Sequence, residues 1–177
     1  MSLDILFIHP NASKKIYQGL SNDHSAIEPP IWAGMLANHC RNKNFNVQIL
    51  DCEVEKLDYL TSVQEIIKIK PRIACFVVYG QQPSASSQNM EGAIATSEEL
   101  KLSDPEIKIL FVGGHVSALP NETLTDEKSI DFIALNEGVY AISNLLKVEN
   151  LNDEKYLNKV KGIGFRNKDN QIVINES

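Results

Sequence analysis

The chain has 177 residues, 43% of them hydrophobic and 23% charged, with a formal net charge of −6. That length suits one domain with a single core and leaves no room for a second of full size, and the composition is that of a folded globular protein. The acidic balance, with no local cluster of Lys or Arg, argues against nucleic-acid binding, and no apolar run approaches the roughly 20 residues of a membrane helix.

Residues 1–3 (MSL) lack the pattern of a secretory leader and read as an expression leader grafted onto Asp4. Residues 4–9 (DILFIH) form a first short apolar strand, stopped by Pro10 and a polar stretch. A long connection follows, of a length that in compact domains is usually functional. From Ile31 to Arg41 apolar residues recur at helical spacing, and Pro30 suits the first helical position. Residues 47–50 are a second strand ending at Asp51. Leu60, Val63, Ile66 and Ile67 mark a second helix over 57–69, which Pro71 ends. Residues 73–78 (IACFVV) are a third, fully buried strand.

Residues 79–87 (YGQQPSASS) read as a polar loop of small residues, and Met90, Ala93, Ile94 and Leu100 as a third helix closed by Asp104-Pro105. The next stretch, IKILFVGGHVSAL, is the centre of the chain. Its apolar half is a buried fourth strand. Its second half begins with Gly113 and Gly114, where a Cβ would obstruct any backbone or ligand that approaches. Either the pair makes a tight turn, or it floors a ligand site. A short helix is expected from about Pro120 to Glu127, then a fifth strand (DFIAL), the turn Asn136-Glu137-Gly138 and a helix carrying Val139, Ile142, Leu145 and Leu146. The tail, 160–166 and 171–175 around NKDN, reads as a β-hairpin.

Strands that alternate with helices need crossovers and give a parallel sheet covered on both faces. The expected fold is therefore α/β, doubly wound and Rossmann-like or flavodoxin-like. It has a five-stranded parallel sheet of order 2-1-3-4-5 and a C-terminal β-hairpin extension. Ligands of such sheets bind beyond the carboxyl ends of the strands. Those ends are His9-Pro10-Asn11, Asp51, residues 79–87, residues 113–117 and Asn136-Glu137-Gly138. Their chemistry is mostly neutral, with amides, hydroxyls, two imidazoles and glycine backbone, and no Lys or Arg.

This inventory excludes several occupants of the same fold. A dinucleotide site needs GxGxxG after the first strand, where the chain has HPNASKK, and a phosphate loop of the GxxxxGK type is absent. Receiver domains place acidic residues where His9 and Tyr79 stand, and Ser13 between charged neighbours is a poor match to a flavodoxin phosphate loop. Cys40, Cys52 and Cys75 are widely spaced, with no CxxC pair and no His at zinc spacing. A reduced, cytoplasmic protein without a metal site of its own is expected.

A large, neutral ligand fringed by amides fits what remains. The segments EPPIWAGMLANHCR, VQILDCE, FVGGHVSALPNETL, DFIALNEG and KGIGFRNKDNQIVIN, in this order, resemble the N-terminal cobalamin (vitamin B12)-binding domain of cobalamin-dependent radical S-adenosylmethionine enzymes. GGHVSALPNETL carries the most specific part of the likeness. NEG stands where GEG is commoner, Asn136 being the departure.

The resemblance implies that Gly113 and Gly114 lie against the corrin or its nucleotide tail. It implies that His115 and Ser117 bond its amides, that Glu137 and Gly138 border the pocket, and that Tyr79, Gln81, Gln82 and Ser84 reach under the cobalt. Each has a plainer alternative: His115 as a capping or core imidazole, Glu137 as a helix cap, and 79–87 as an ordinary surface loop. Methionine-synthase-type domains carry DxHxxG, whose His binds cobalt. This chain has none, His9 reads as a loop residue, and cobalamin without a histidine axial ligand is expected.

The family's iron-sulfur cluster needs CxxxCxxC, which the three cysteines do not provide. Residues 4–150 are therefore expected to form the cobalamin-binding domain, and 151–177 a linker and hairpin leading to an absent radical S-adenosylmethionine barrel. Iron-sulfur cluster and S-adenosylmethionine belong to that missing domain, as does catalysis of methyltransferase type. The fragment itself binds a cobalt-holding cofactor and does not catalyse. Two alternatives stay open: a stand-alone corrinoid- or nucleotide-binding regulatory module, and a small transferase using Glu137 and His115 as an acid and base pair.

Overall fold

The computed structural model describes residues 3–11, 29–79 and 83–176, with side chains from residue 89 onward in the last of these. Gln81, Gln82 and most of the connection between the first strand and the first helix lie outside the described residues. The elements in chain order are β1 (Ile5–His9), α1 (Ile31–Arg41), β2 (Val47–Asp51), α2 (Tyr59–Ile69), β3 (Ile73–Val77), α3 (Pro83–Ser103) and β4 (Lys108–Val112). They continue with α4 (Gly114–Ala118), α5 (Pro120–Asp126), β5 (Phe132–Ala134), α6 (Val139–Leu145), α7 (Glu154–Leu157), β6 (Ile163–Arg166) and β7 (Ile172–Ile174).

Among the described residues the sheet has seven strands, in the order β2-β1-β3-β4-β5-β6-β7. Neighbours from β2 through β5 are parallel, whereas β6 runs antiparallel to β5 and β7 antiparallel to β6. The expected five-stranded, wholly parallel sheet is thus too small: the hairpin belongs to the sheet and makes it mixed. The physical reason is the β5 edge, which would otherwise present unpaired backbone, together with the apolar alternation Ile163, Phe165, Ile172, Ile174, which needs a core to face. Phe132 stands opposite Phe165 and Ala134 opposite Ile163.

Two apolar layers follow from the strand alternation. Ile5, Phe7, Ile73, Cys75, Val77, Leu110 and Val112 face α1 and α6, which contribute Ala33, Leu36, Ala37, Ala141, Ile142 and Leu145. Their strand neighbours Leu6, Ile8, Ala74, Phe76, Ile109 and Phe111 face Val63 and Ile66 of α2, Met90, Ala93 and Leu100 of α3, and Val116 and Leu124 beyond them. Phe76 and Phe111, paired in register, stack at 4.9 Å. Each large side chain buried in this way contributes roughly 1.5–3 kcal/mol, so the three central strands hold the fold.

Asp58 caps α2 by accepting from the Thr61 amide at 2.9 Å, a standard way to satisfy an orphan donor at a helix start. At the far end of the chain, the Arg166 guanidinium donates to the carbonyls of Leu124 (2.6 Å), Lys128 (3.2 Å) and Ile130. Asn175 donates to those of Leu157 and Val160 at 2.8 and 2.7 Å. These bonds strap the hairpin to the segments before it. Leu151, Leu157 and Val160 join the same core as α1 and α6, and the helical turn α7 between them, capped by Asp153, was not foreseen.

Two other boundaries differ from expectation. α3 starts at Pro83 instead of near Met90, so the polar loop after β3 is short and Ser84 lies in a first helical turn. Pro83 has the fixed φ of an N-terminal helical residue, and the Ser/Ala stretch behind it carries no apolar period to betray a helix. In addition, a helical turn opens at Gly114, directly after β4, before the chain breaks at Leu119 and restarts at Pro120. His115 and Ser117 therefore sit on α4. Among the described residues no helix is long and apolar enough to cross a membrane.

Candidate functional site

The strand order turns back between β1 and β3, and the carboxyl ends of β1, β3, β4 and β5 converge on one rim of the sheet. Gly113 follows β4 in extended conformation (φ 163, ψ 174) and is buried. A Cβ on it would stand 2.5 Å from the Val78 carbonyl oxygen and 2.7 Å from Val78 Cγ2. On its Cβ side Gly113 therefore meets the adjoining strand segment, and that close approach requires a glycine at this position. Gly114 is exposed and remains the glycine whose backbone faces outward.

After β5 the chain reverses through Asn136 (φ 54) and Gly138 (φ 70), two left-handed residues flanking Glu137. Gly138 is required twice over: its φ favours glycine, and a Cβ would meet Val112 Cγ2 at 2.6 Å. Its amide donates to the Leu135 carbonyl at 3.1 Å, and Glu137 is turned outward and exposed. The Asn136 carbonyl accepts from the Tyr79 hydroxyl at 2.5 Å and from Ser117 Oγ at 3.3 Å. One main-chain oxygen thus ties together the ends of β3, α4 and β5.

Tyr79 is held from two more directions. Its carbonyl accepts from Asn89 Nδ2 at 3.1 Å, and its ring stacks on Trp32 of α1 with centroids 4.4 Å apart and planes at 21°. Burial, reinforced by the charge of Glu137 and then by Cys75, pushes its phenol up to about 12. The hydroxyl is therefore a neutral donor throughout the physiological range. Trp32 and Asn89 were not foreseen. The signal for Trp32 was present, a lone tryptophan two residues after Pro29-Pro30 at a helix start, but nothing local says which ring it meets.

His9 is the last residue of β1, opposite Asp51 in register, and its Nδ1 lies 3.2 Å from Asp51 Oδ1. The reading of His9 as a loop residue is corrected: it is a buried strand residue, 8% exposed, and engaged by a carboxylate. The two lie on adjacent parallel strands at corresponding positions, an adjacency set by the sheet register alone.

Tyr79, Gly114, Ser117, Glu137 and Gly138 come together on the rim with Gly113 beneath them. His115 is half-buried on α4, and Ser84 is placed only by its backbone in the first turn of α3. The rim offers two hydroxyls, main-chain groups and outlying carboxylates, with no Lys or Arg among residues 9–11, 51, 77–79, 113–117 and 135–138. Among the described residues no group of three or more His, Cys, Asp or Glu is placed to hold a metal ion.

The sequence pattern of the B12 binding domain family matches residues 23–146, and the chain belongs to that family. Solved structures share its fold, among them the following. The cobalamin-dependent S-adenosylmethionine radical enzyme OxsB with aqua-cobalamin and S-adenosylmethionine bound is 17% identical with a TM-score of 0.71, covering 99% of this chain and 22% of its own. The radical S-adenosylmethionine methyltransferase TsrM from Kitasatospora setae, with tryptophan substrate and aza-SAM bound, is 13% identical with a TM-score of 0.72, covering 99% and 30%. Apo OxsB labelled with selenomethionine is 16% identical with a TM-score of 0.66. The chain therefore spans well under half the length of these enzymes. No curated protein matches it.

Proposed function

We propose that this chain is the cobalamin-binding domain of a radical S-adenosylmethionine enzyme of methyltransferase type, and that it positions the corrin for a catalytic domain elsewhere in the protein. The observation that supports it is the rim itself: Tyr79 and Ser117 converge on the Asn136 carbonyl beside the exposed Gly114 in a segment matched by the B12 binding domain family. With their protons directed to the Asn136 carbonyl, the two hydroxyls keep lone pairs that can accept from amide N–H groups, which suits a cofactor whose periphery is amide.

In this reading Gly114 supplies a main-chain approach. Ser117, Tyr79 and His115 meet amide groups, and Glu137 with Gly138 borders the pocket. Ser84, in the first turn of α3, and Gln81 and Gln82, which precede that helix in the sequence, are assigned to the same pocket. Gly113 belongs to the same turn: its missing Cβ lets β3 and β4 close up beneath the rim, and its main chain lies toward the corrin or its nucleotide tail in this reading. Bound cobalamin would supply a carrier for a methyl group, and the protein's part is to bind it and fix its orientation. This reading keeps a corrin without a histidine axial ligand, the chain having no DxHxxG. Residues 4–150 then carry the binding rim, and 151–177, whose hairpin completes the same sheet, lead toward the radical domain, where the iron-sulfur cluster and S-adenosylmethionine would reside.

Titration of hydroxocobalamin into the chain, read by absorbance and gel filtration, tests the reading. Co-elution with a shifted spectrum is expected, and a fully separable, unshifted cofactor overturns it. Nitrogen hyperfine splitting from imidazole in the cob(II)alamin electron paramagnetic resonance spectrum would overturn the absence of a histidine ligand alone.

A further inference from the structure

The chain contains one tryptophan. Trp32 sits in the first turn of α1, at the carboxyl end of the sheet, and is 37% exposed although its ring is stacked on Tyr79. Tyr79 in turn cannot swing away without giving up its bond to Asn136 and disturbing the carbonyl held by Asn89. The stack therefore fixes the indole while leaving part of it uncovered. Ile31 and Met35 on the same two turns are 63% and 56% exposed. The rim thus has an apolar side, continuous through Tyr79 with the hydroxyl groups that meet at Asn136.

Small-molecule sites are mostly apolar and aromatic, with a few placed polar groups that set orientation. The hydroxyls and main chain of this rim satisfy amides but do nothing for apolar ligand surface. A corrin carries both: a conjugated ring fringed with methyl groups, and amide arms that extend from it. Burying methyl and ring surface against a fixed indole yields area-dependent stabilisation without ordering a flexible side chain at the moment of binding.

We propose that Trp32 is a ligand-contacting residue, its indole backed by Tyr79 to form an apolar shelf for the methyl-fringed ring of a corrinoid. The inference rests on the cobalamin-binding reading and assigns to it a contact outside the glycine turn and the polar rim. A plain alternative is that the stack serves only to anchor the start of α1, in which case ligand would leave the indole untouched.

The test uses hydroxocobalamin with the wild-type chain, Trp32→Ala and Trp32→Phe, affinity being measured by equilibrium dialysis and folding by circular dichroism. Trp32→Ala is expected to weaken binding by about tenfold and Trp32→Phe, which keeps an aromatic face, by no more than roughly threefold. In the wild type the single tryptophan reports on itself: the acrylamide quenching constant of its emission is expected to fall by about half or more on binding. A folded Trp32→Ala that binds within about twofold of wild type, or a quenching constant that cofactor leaves unchanged, overturns the shelf while the cobalamin reading stands. Should Trp32→Ala fail to fold, the wild-type quenching comparison decides. A wild type that binds no hydroxocobalamin overturns both readings together.

Discussion

The carbonyl oxygen of Val78 occupies the space that a Cβ on Gly113 would need, at 2.5 Å. The Val78 amide donates to the Val112 carbonyl at 2.8 Å, so β3 and β4 stay paired to the last residue before the rim opens. Gly113 is what permits that closure, and Gly114, one residue on, is exposed.

The two glycines should therefore separate by mutation. Gly113→Ala overpacks backbone against backbone and is expected to cost about 1–3 kcal/mol, lowering the thermal midpoint by several degrees. Gly114→Ala is expected to change stability by no more than about 0.5 kcal/mol and to weaken hydroxocobalamin binding instead. Thermal melts beside binding isotherms check both. Equal loss of stability in the two variants would contradict the assignment.

The turn after β5 gives a second separation. Gly138→Ala meets both a left-handed φ and the Val112 side chain, and a cost of roughly 2 kcal/mol or more is expected from strain and crowding together. Asn136 is left-handed too, yet its carbonyl, not its side chain, receives Tyr79 and Ser117. Asn136→Ala should cost about 1 kcal/mol more denaturant stability than Asn136→Gly, both variants losing the same side chain and only the first keeping a Cβ at a left-handed φ.

Tyr79 makes the alkaline limb of stability diagnostic. Its folded pKa of about 12 lies above the unfolded value of roughly 10. The folded state keeps a proton that the unfolded chain has lost, so this contribution is complete below the unfolded pKa and disappears as pH rises through the folded one. One of the five tyrosines is expected to ionise late in an ultraviolet difference titration. Tyr79→Phe should remove that late step and make the fall of stability above the ordinary tyrosine pKa shallower. A single ionisation step near the ordinary value in the wild type would contradict the burial of this phenol.

Arg166 tests whether the hairpin belongs to the domain. Its guanidinium serves three carbonyls on the stretch from Leu124 to Ile130, at the edge of the sheet away from the glycine turn. Arg166→Ala leaves part-buried acceptors unsatisfied and is expected to cost roughly 2–3 kcal/mol, read as a lower denaturant midpoint at unchanged slope. Hydroxocobalamin affinity of the folded fraction should not change. Loss of binding without loss of stability would place the hairpin's role at the rim instead.

The sequence by itself determined the layers. Unbroken apolar runs at residues 5–8, 73–78 and 109–112 need cover on both faces, and helical periods between them supply it, so alternation of strand and helix and the location of the core follow from local pattern. The glycine turn and the rim segments were also legible, because strand ends are marked by polar and small residues. The tertiary structure alone decided what those segments meet. Gly113 faces Val78, Tyr79 reaches Asn136 and Trp32, His9 pairs with Asp51, and the hairpin completes the sheet on β5. All are contacts between residues far apart in sequence, fixed by register and packing, and neither periodicity nor turn chemistry encodes which strand end lies beside which. The start of α3 was hidden for a different reason: its first turns are Ser and Ala, and a helix without an apolar stripe leaves no periodic trace.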